Sequence, residues 1–283
     1  MQAAAWTTTE TWGHRARLTA CAARRLLAWK MFPARWPAPR MAPAAPAAVP
    51  STVAFPHLVY EERIPIARSD AAANGLLEQG KQVNVALAAP HFDGIVVAPD
   101  SPLSFWRALG RITARRGYRY GMELRGGCIV PALGGGICLL SNALFAMAAR
   151  LGWTILERHG HSMDAGMAGR EPWGLDATVL WPHVDLRIAP QHGAARLRMR
   201  AADGELRLAV EAEGNLRHPI DLASVDERED ASFRRNLIVR TMEGREEVIA
   251  ENNKRVLRGA EPRRTCLSCG ETTCKARVLL PRT

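Results

Sequence analysis

The chain has no run of about 18 apolar residues free of charge, which excludes an ordinary transmembrane helix. Lysine is scarce: four lysines stand against 34 arginines, and the abundant alanine alongside them points first to genomic base composition. Aromatics make up only 6%, and none alternate with the arginines in a stacking pattern, which argues against nucleic acid as a ligand. The six cysteines are unevenly scattered and do not read as a disulfide framework. Arg24-Arg25 breaks the apolar stretch 18–29 before any clear cleavage site, so it does not read as a signal peptide. A cytoplasmic protein, at most peripheral to a membrane, is the expectation. No internal repeat is visible.

The charge is unevenly placed. Of the net +10, residues 1–50 carry +6 and residues 254–283 another +6, leaving the middle of the chain at −2. Residues 33–50 (PARWPAPRMAPAAPAAVP) have the composition of an extended Pro/Ala linker. The expected organisation is therefore a basic leader and linker over 1–50, the leader disordered or else a partly amphipathic helix around 15–31 suited to a membrane surface, then a globular domain over 51–253 and a basic, cysteine-containing tail over 254–283. Basic ends of this kind suit an anionic membrane surface.

Inside the middle segment one stretch dominates. Gly134-Gly135-Gly136 runs into an apolar series from Ile137 to Leu151, with Cys138 at the joint. Leu140, Leu144, Met147 and Leu151 fall at helical spacing, and Leu139, Ala143 and Ala146 make the opposite face apolar too. This spacing predicts a helix buried on all sides, ended by Gly152. Cys138 then occupies the first turn, where free amides and the helix dipole favour a thiolate. A small apolar residue in a tight turn is the plainer reading of the same cysteine.

Around this helix the pattern predicts a short helix capped by Asp70 and strands over 82–88, 95–98, 122–124, 153–158, 174–180 and 184–189. Asp203-Gly204 and Glu243-Gly244 mark two hairpins. The fold class is α+β: a central buried helix with a cysteine at its N-terminus on a mainly antiparallel sheet, with β-hairpins towards the C-terminus.

Two histidines and an aspartate complete a chemical set. The strand over 153–158 delivers His159 and His161, and Asp176 opens the strand after the next loop. Cysteine at a helix start, then histidine, then aspartate is the order of papain-like and transglutaminase-like enzymes. Thiolate, imidazole and carboxylate are the nucleophile, proton carrier and orienting group that acyl transfer needs. Gly134, Gly135 and Gly136 are positioned to offer backbone amides to an oxyanion or an anionic ligand. His159 and His161 with Cys138 or Asp176 also make a reasonable zinc set, and a non-catalytic binding or scaffold module fits the same residues. In the tail, Cys266, Cys269 and Cys274 have the spacing of three zinc ligands without an obvious fourth. No other cofactor is implied.

Taken together, Lys81-Gln82-Val83-Asn84, Ser104-Phe105-Trp106, Gly117-Tyr118, Gly134-Gly135-Gly136-Ile137-Cys138, Glu157-Arg158-His159-Gly160-His161-Ser162 and Gly174-Leu175-Asp176-Ala177-Thr178-Val179 resemble the VanW family. The resemblance runs from about residue 81 to 189. The family takes its name from an accessory protein of vancomycin-resistance clusters. It therefore implies cell-wall or glycopeptide biology, with a peptidoglycan-related peptide as the expected substrate class, but no particular reaction. Many members carry glutamine directly after the motif cysteine, where this chain has Leu139.

Overall fold

The computed structural model describes residues 12–41, 55–67, 75–125, 128–164, 171–214 and 220–256. In chain order the elements are α1 (Trp12–Met31), β1 (Arg40–Met41), β2 (His57–Pro65), α2 (Gly75–Ala88), β3 (Ile95–Val97), β4 (Leu103–Ser104) and α3 (Phe105–Leu109). They continue with β5 (Tyr120–Arg125), β6 (Cys128–Leu133), α4 (Cys138–Arg150), β7 (Thr154–Glu157), β8 (Met163–Asp164) and β9 (Arg187–Ala189). Two hairpin regions follow: β10 (Ala195–Ala202) with β11 (Glu205–Ala212), then β12 (Leu222–Glu229), β13 (Phe233–Met242) and β14 (Arg245–Val256).

The architecture is a mixed α/β one with few helices and mostly antiparallel pairing. One sheet runs β1-β3-β10-β11-β2, another β12-β13-β14-β8, a third β4-β9-β7, and β5 pairs with β6. β14 and β8 are parallel. α4 is the hub. Leu140, Ala143, Leu144, Phe145, Ala146, Met147, Ala148 and Ala149 are all fully buried, in one cluster with Phe105, Trp153, Leu186 and Leu208. A helix with no polar face is stable only when surrounded in this way.

The glycine run is a packing joint. A Cβ on Gly135 would lie 2.4 Å from the Gly121 carbonyl carbon on β5, and one on Gly136 (φ +96°) 2.3 Å from Cγ of Lys81. No side chain fits between these backbones. Asn84 completes the joint: its Nδ2 donates to the carbonyls of Arg119 and Gly135, both at 2.9 Å, and its Oδ1 accepts from the Arg119 amide at 2.8 Å.

Several expectations are corrected. Residues 82–88 are helical, inside α2. The alternation of Val83, Val85 and Leu87 misleads, because the buried set is Leu77, Glu78, Gly80, Lys81, Asn84, Val85 and Ala88, which has helical spacing, while Val83 and Leu87 are exposed. Asp70 lies outside the described residues. The strand expected over 153–158 ends at Glu157, so His159 and His161 stand on a loop. Residues 175–179 are extended but join no ladder, so Asp176 does not open a strand. β2 and β12, which the sequence reading did not anticipate, are strands. Both hairpins form as expected, with Asp203 (φ +55°) and Glu243 (φ +52°) preceding their glycines in the turns.

Of the two readings of the leader, its described part forms the helix. α1 lacks proline, is rich in helix formers, and stops just before Pro33. Its inward face is Leu18, Ala22, Arg25, Ala28 and Trp29, a stripe in which an arginine hides the helical period. Arg25 grips Glu157 with both terminal nitrogens, at 2.9 and 2.7 Å. Trp29 meets Trp181 edge to face at 5.6 Å. Trp36, within the expected linker, is buried beneath the guanidinium groups of Arg25, Arg35 and Arg187. The boundary set at residue 254 shifts as well, since β14 runs on to Val256.

Candidate functional site

α4 begins at Cys138, which is partly buried and free of any disulfide. The segment 175–179 crosses the start of this helix and is held there by side chains rather than by a strand ladder. Ser141 Oγ donates to the Ala177 carbonyl at 2.7 Å, and Asn142 Oδ1 accepts from the Ala177 amide at 2.9 Å. The Thr178 amide donates to the His159 carbonyl at 2.8 Å, tying in the histidine loop. Asp176 is thereby fixed opposite His161.

His161 lies between the aspartate and the cysteine. Its Nδ1 and its backbone N–H (3.1 Å) both meet Oδ2 of Asp176. With Nδ1 engaged by Asp176, the rest of the ring faces the Cys138 thiol, with which it interacts by hydrogen bonding and charge. The Cys138 sulfur also receives the Val179 amide and the Thr178 hydroxyl. The structure therefore brings Cys138, His161 and Asp176 together, in the order that a nucleophile, its base and an orienting carboxylate require.

The electrostatics follow from this geometry. Burial works against the Cys138 thiolate, but the bond and charge of His161, with the Val179 and Thr178 donors, outweigh it and hold the thiol below its ordinary range. Burial works against the His161 imidazolium too, yet Asp176 and the cysteine raise it to about 9. Asp176 is desolvated but held well below the carboxylate range by His161 and Lys254. These groups titrate as a unit. A lowered thiol facing a raised imidazole shifts the pair towards its thiolate–imidazolium form, and the histidine side chain is still 30% exposed.

The second oxygen of Asp176 is equally occupied. Oδ1 accepts from Lys254 Nζ at 2.7 Å and from Arg158 at 3.2 Å. Arg158 also reaches the carbonyls of Asp176 (2.8 Å) and Gly174 (3.0 Å) and Asn252 Oδ1 (2.7 Å). Sequence reasoning names Arg158 and Thr178 as parts of the family motifs and misses Lys254, Ser141 and Asn142. A local signal existed for Ser141-Asn142, two polar residues on an otherwise apolar helix. None existed for Lys254, 78 residues from its partner.

The other candidates are placed elsewhere. His159 turns to Glu157, at 3.4 Å, and is half exposed. Glu157 also accepts from Arg25 and from the Asp185 amide; burial opposes its charge, but His159, Arg25 and that amide bring it down to about 2. The two histidines thus serve different carboxylates and do not converge on one point. Among the described residues, no group of three or more His, Cys, Asp or Glu side chains is placed to hold a metal ion. Cys266, Cys269 and Cys274 lie outside the described residues. In the glycine loop, the Gly134 and Gly135 amides are already bonded to the carbonyls of Arg119 and Ala132, both at 2.9 Å. The expectation that these two amides serve an oxyanion is withdrawn.

The triad and its glycine joint fall within residues 80–211, which match the family model described as VanW like protein. Over those residues the chain is similar to the VanW family. Among curated proteins it is similar to the Vancomycin B-type resistance protein VanW of Enterococcus faecalis (strain ATCC 700802 / V583). That match is 27% identical over 136 residues, 47% of this chain and 50% of that protein. It is also similar to the uncharacterized protein YoaR of Bacillus subtilis (strain 168), 34% identical over 109 residues, 38% of this chain and 35% of that protein. The chain thus spans half or less of the length of these relatives. No solved structure matches it. Among the described residues, no helix is long and apolar enough to cross a membrane.

Proposed function

We propose that this VanW-like domain is a thiol-dependent acyl or amide transferase or hydrolase, with Cys138 as nucleophile, His161 as proton carrier and Asp176 as orienting carboxylate. The observation that carries the reading is the placement of His161, hydrogen-bonded to Asp176 through Nδ1 and facing the Cys138 thiol with the rest of its ring. A cysteine with only a packing role has no need of three donors aimed at its sulfur.

The Cys138 thiolate attacks the carbonyl carbon of an amide, forming a C–S bond and moving the carbonyl electron pair onto oxygen. As that pair returns, the C–N bond breaks, and Nε2 of the His161 imidazolium gives its proton to the departing amine. The thioester is then attacked by water or by a second amine. His161, now neutral, takes the proton from that nucleophile, and the thiolate leaves. Asp176 stays ionised throughout and holds the imidazole in one tautomer. The Cys138 amide, at the start of α4, and the Gly136 amide are the backbone donors assigned to the oxyanion.

The substrate class we assign is a peptidoglycan-related peptide, because one relative bears the name of a vancomycin-resistance protein. An anionic membrane surface is the partner we assign to α1, which exposes Leu27, Met31 and Phe32 beside Arg24 and Lys30. The enzymatic reading is tested by incubating the protein with stem-peptide amides and measuring its intact mass. An acyl adduct on Cys138, absent in Cys138→Ala, is the expected result. No adduct and no released amine across a panel of such peptides would contradict it.

A further inference from the structure

The residues that match the family end at 211, yet the His161–Asp176 pair is built against three strands, β12 to β14, that lie beyond them. The last of these, β14, touches both halves of the pair. Its backbone runs parallel to β8, with Arg255 and Val256 opposite Met163 and Asp164, and the Arg255 amide donates to the Ser162 carbonyl at 2.9 Å. That bond fixes the residue directly after His161. From the same strand Lys254 Nζ reaches Oδ1 of Asp176 at 2.7 Å.

Lys254 is itself held. It is only 7% exposed, and its ammonium lies 4.9 Å from the centre of the Trp173 ring, whose other contact of this kind is Arg234 at 4.2 Å. Asn252, two residues before it, accepts from Arg158 at 2.7 Å and donates to Asn236 Oδ1 at 2.9 Å. Asn236 of β13 in turn donates to the Trp173 carbonyl and to Ser224 Oγ of β12, both at 2.7 Å. The loop before Asp176 lies hard against this asparagine pair: a Cβ on Gly174 (φ +87°) would fall 2.3 Å from Asn252 Nδ2. The contacts therefore run without a gap from β12 to the catalytic carboxylate.

We infer that Lys254 is a positioning residue of this site, and that the β12–β14 sheet is an integral part of the catalytic unit. The inference rests on the reading of Cys138, His161 and Asp176 as the working group. With one oxygen of Asp176 committed to Lys254 and Arg158, the carboxylate cannot rotate, and its other oxygen stays aligned with Nδ1 of His161. Positioning of this kind fixes the imidazole with its second nitrogen towards the thiol.

The test is the Nδ1 proton of His161, followed by proton–nitrogen correlation NMR in the full-length protein. In the native chain this proton is expected to be sharp, far downfield and slow to exchange. Lys254→Met, which keeps the stem but removes the cation, is expected to broaden it or speed its exchange, and Lys254→Arg to restore it. In parallel, Cys138 alkylation at neutral pH is expected to fall about tenfold in Lys254→Met and to recover in Lys254→Arg, a factor equivalent to about 1.4 kcal/mol. Should Lys254→Met fail to fold, Lys254→Gln serves the same comparison. An unchanged Nδ1 signal in a folded variant that lacks the cation would overturn the inference. An unreactive Cys138 in the native chain would instead overturn the enzymatic reading, and the NMR result distinguishes the two failures.

Discussion

Oδ2 of Asp176 accepts from His161 twice, from the backbone N–H at 3.1 Å and from the ring Nδ1. A single oxygen thus sets both where the histidine begins and which way its ring faces. The ring's rotation about its own bonds is removed before any substrate arrives, and the imidazole keeps one nitrogen for the thiol.

Asp176→Asn is therefore expected to damage the site in two ways. The amide has no charge to sustain the imidazolium, so the His161 pKa falls from about 9 towards its ordinary range. The same change leaves Lys254 and Arg158 without their carboxylate, a loss of about 3 kcal/mol for a buried pair broken on one side. Histidine titration by NMR and denaturant unfolding measure the two effects separately. A variant with native stability and an unmoved His161 would contradict the assignment.

Thr178 offers a milder probe. Thr178→Val keeps the volume but removes the hydroxyl directed at the Cys138 sulfur. The thiol pKa should rise, and alkylation at neutral pH should slow by a few-fold, the low end of what one lost hydrogen bond is worth. Ser141→Ala should lower stability by about 1 kcal/mol through the lost bond to the Ala177 carbonyl. Equal alkylation rates in Thr178→Val and the native chain, across pH, would show that this hydroxyl does not serve the sulfur.

α1 should respond to acid through Glu157. In the folded chain this carboxyl sits at about 2 against an ordinary value of 4.5. A lowered carboxyl stabilises the fold above its unfolded pKa, and that contribution disappears as pH falls through the folded value. The docked helix should therefore loosen progressively from about pH 4.5 down towards 2. Arg25→Ala should cost about 2 kcal/mol at neutral pH and flatten this acid dependence. Unfolding curves over pH check both, and identical slopes in the two proteins would contradict the assignment of Glu157 as the anchor.

What could be read in the sequence was mostly local. Glycines 134–136 and the apolar run behind them mark α4, because a helix buried on every side shows in any window. Asp203-Gly204 and Glu243-Gly244 mark their hairpins, because the turn demands those residue types. α2 was misread because residues 83, 85 and 87 alternate by chance, while the true period rests on Gly80, Lys81 and Asn84, which no hydrophobic pattern counts. Cys138, His161 and Asp176 were legible as motif residues, but what holds them was not. Ser141 and Asn142 act 36 and 35 residues away, Lys254 acts 78 residues away, and Arg25 grips Glu157 across 132 residues. Such bonds have no period, and only the folded chain displays them.

Membrane docking by α1 makes a distinct expectation. With Leu27, Met31 and Phe32 between 56% and 60% exposed beside Arg24 and Lys30, the protein should sediment with vesicles rich in anionic lipid at low salt. Added salt should weaken the binding, and Leu27→Glu with Phe32→Glu should abolish it. An absence of binding to such vesicles at low salt would remove the membrane from the account.

The most direct measurement is the pH dependence of Cys138 alkylation by a neutral reagent, compared in the native chain and in His161→Ala. The thiol is held below its ordinary value chiefly by His161, which itself stays protonated up to about 9. The native profile should therefore have its midpoint on the acid side of about 8.5, the value for a free thiol. His161→Ala should move that midpoint upward and slow the reaction at neutral pH. A native midpoint at or above the free-thiol value, unmoved by loss of the imidazole, would contradict a cysteine nucleophile at this site.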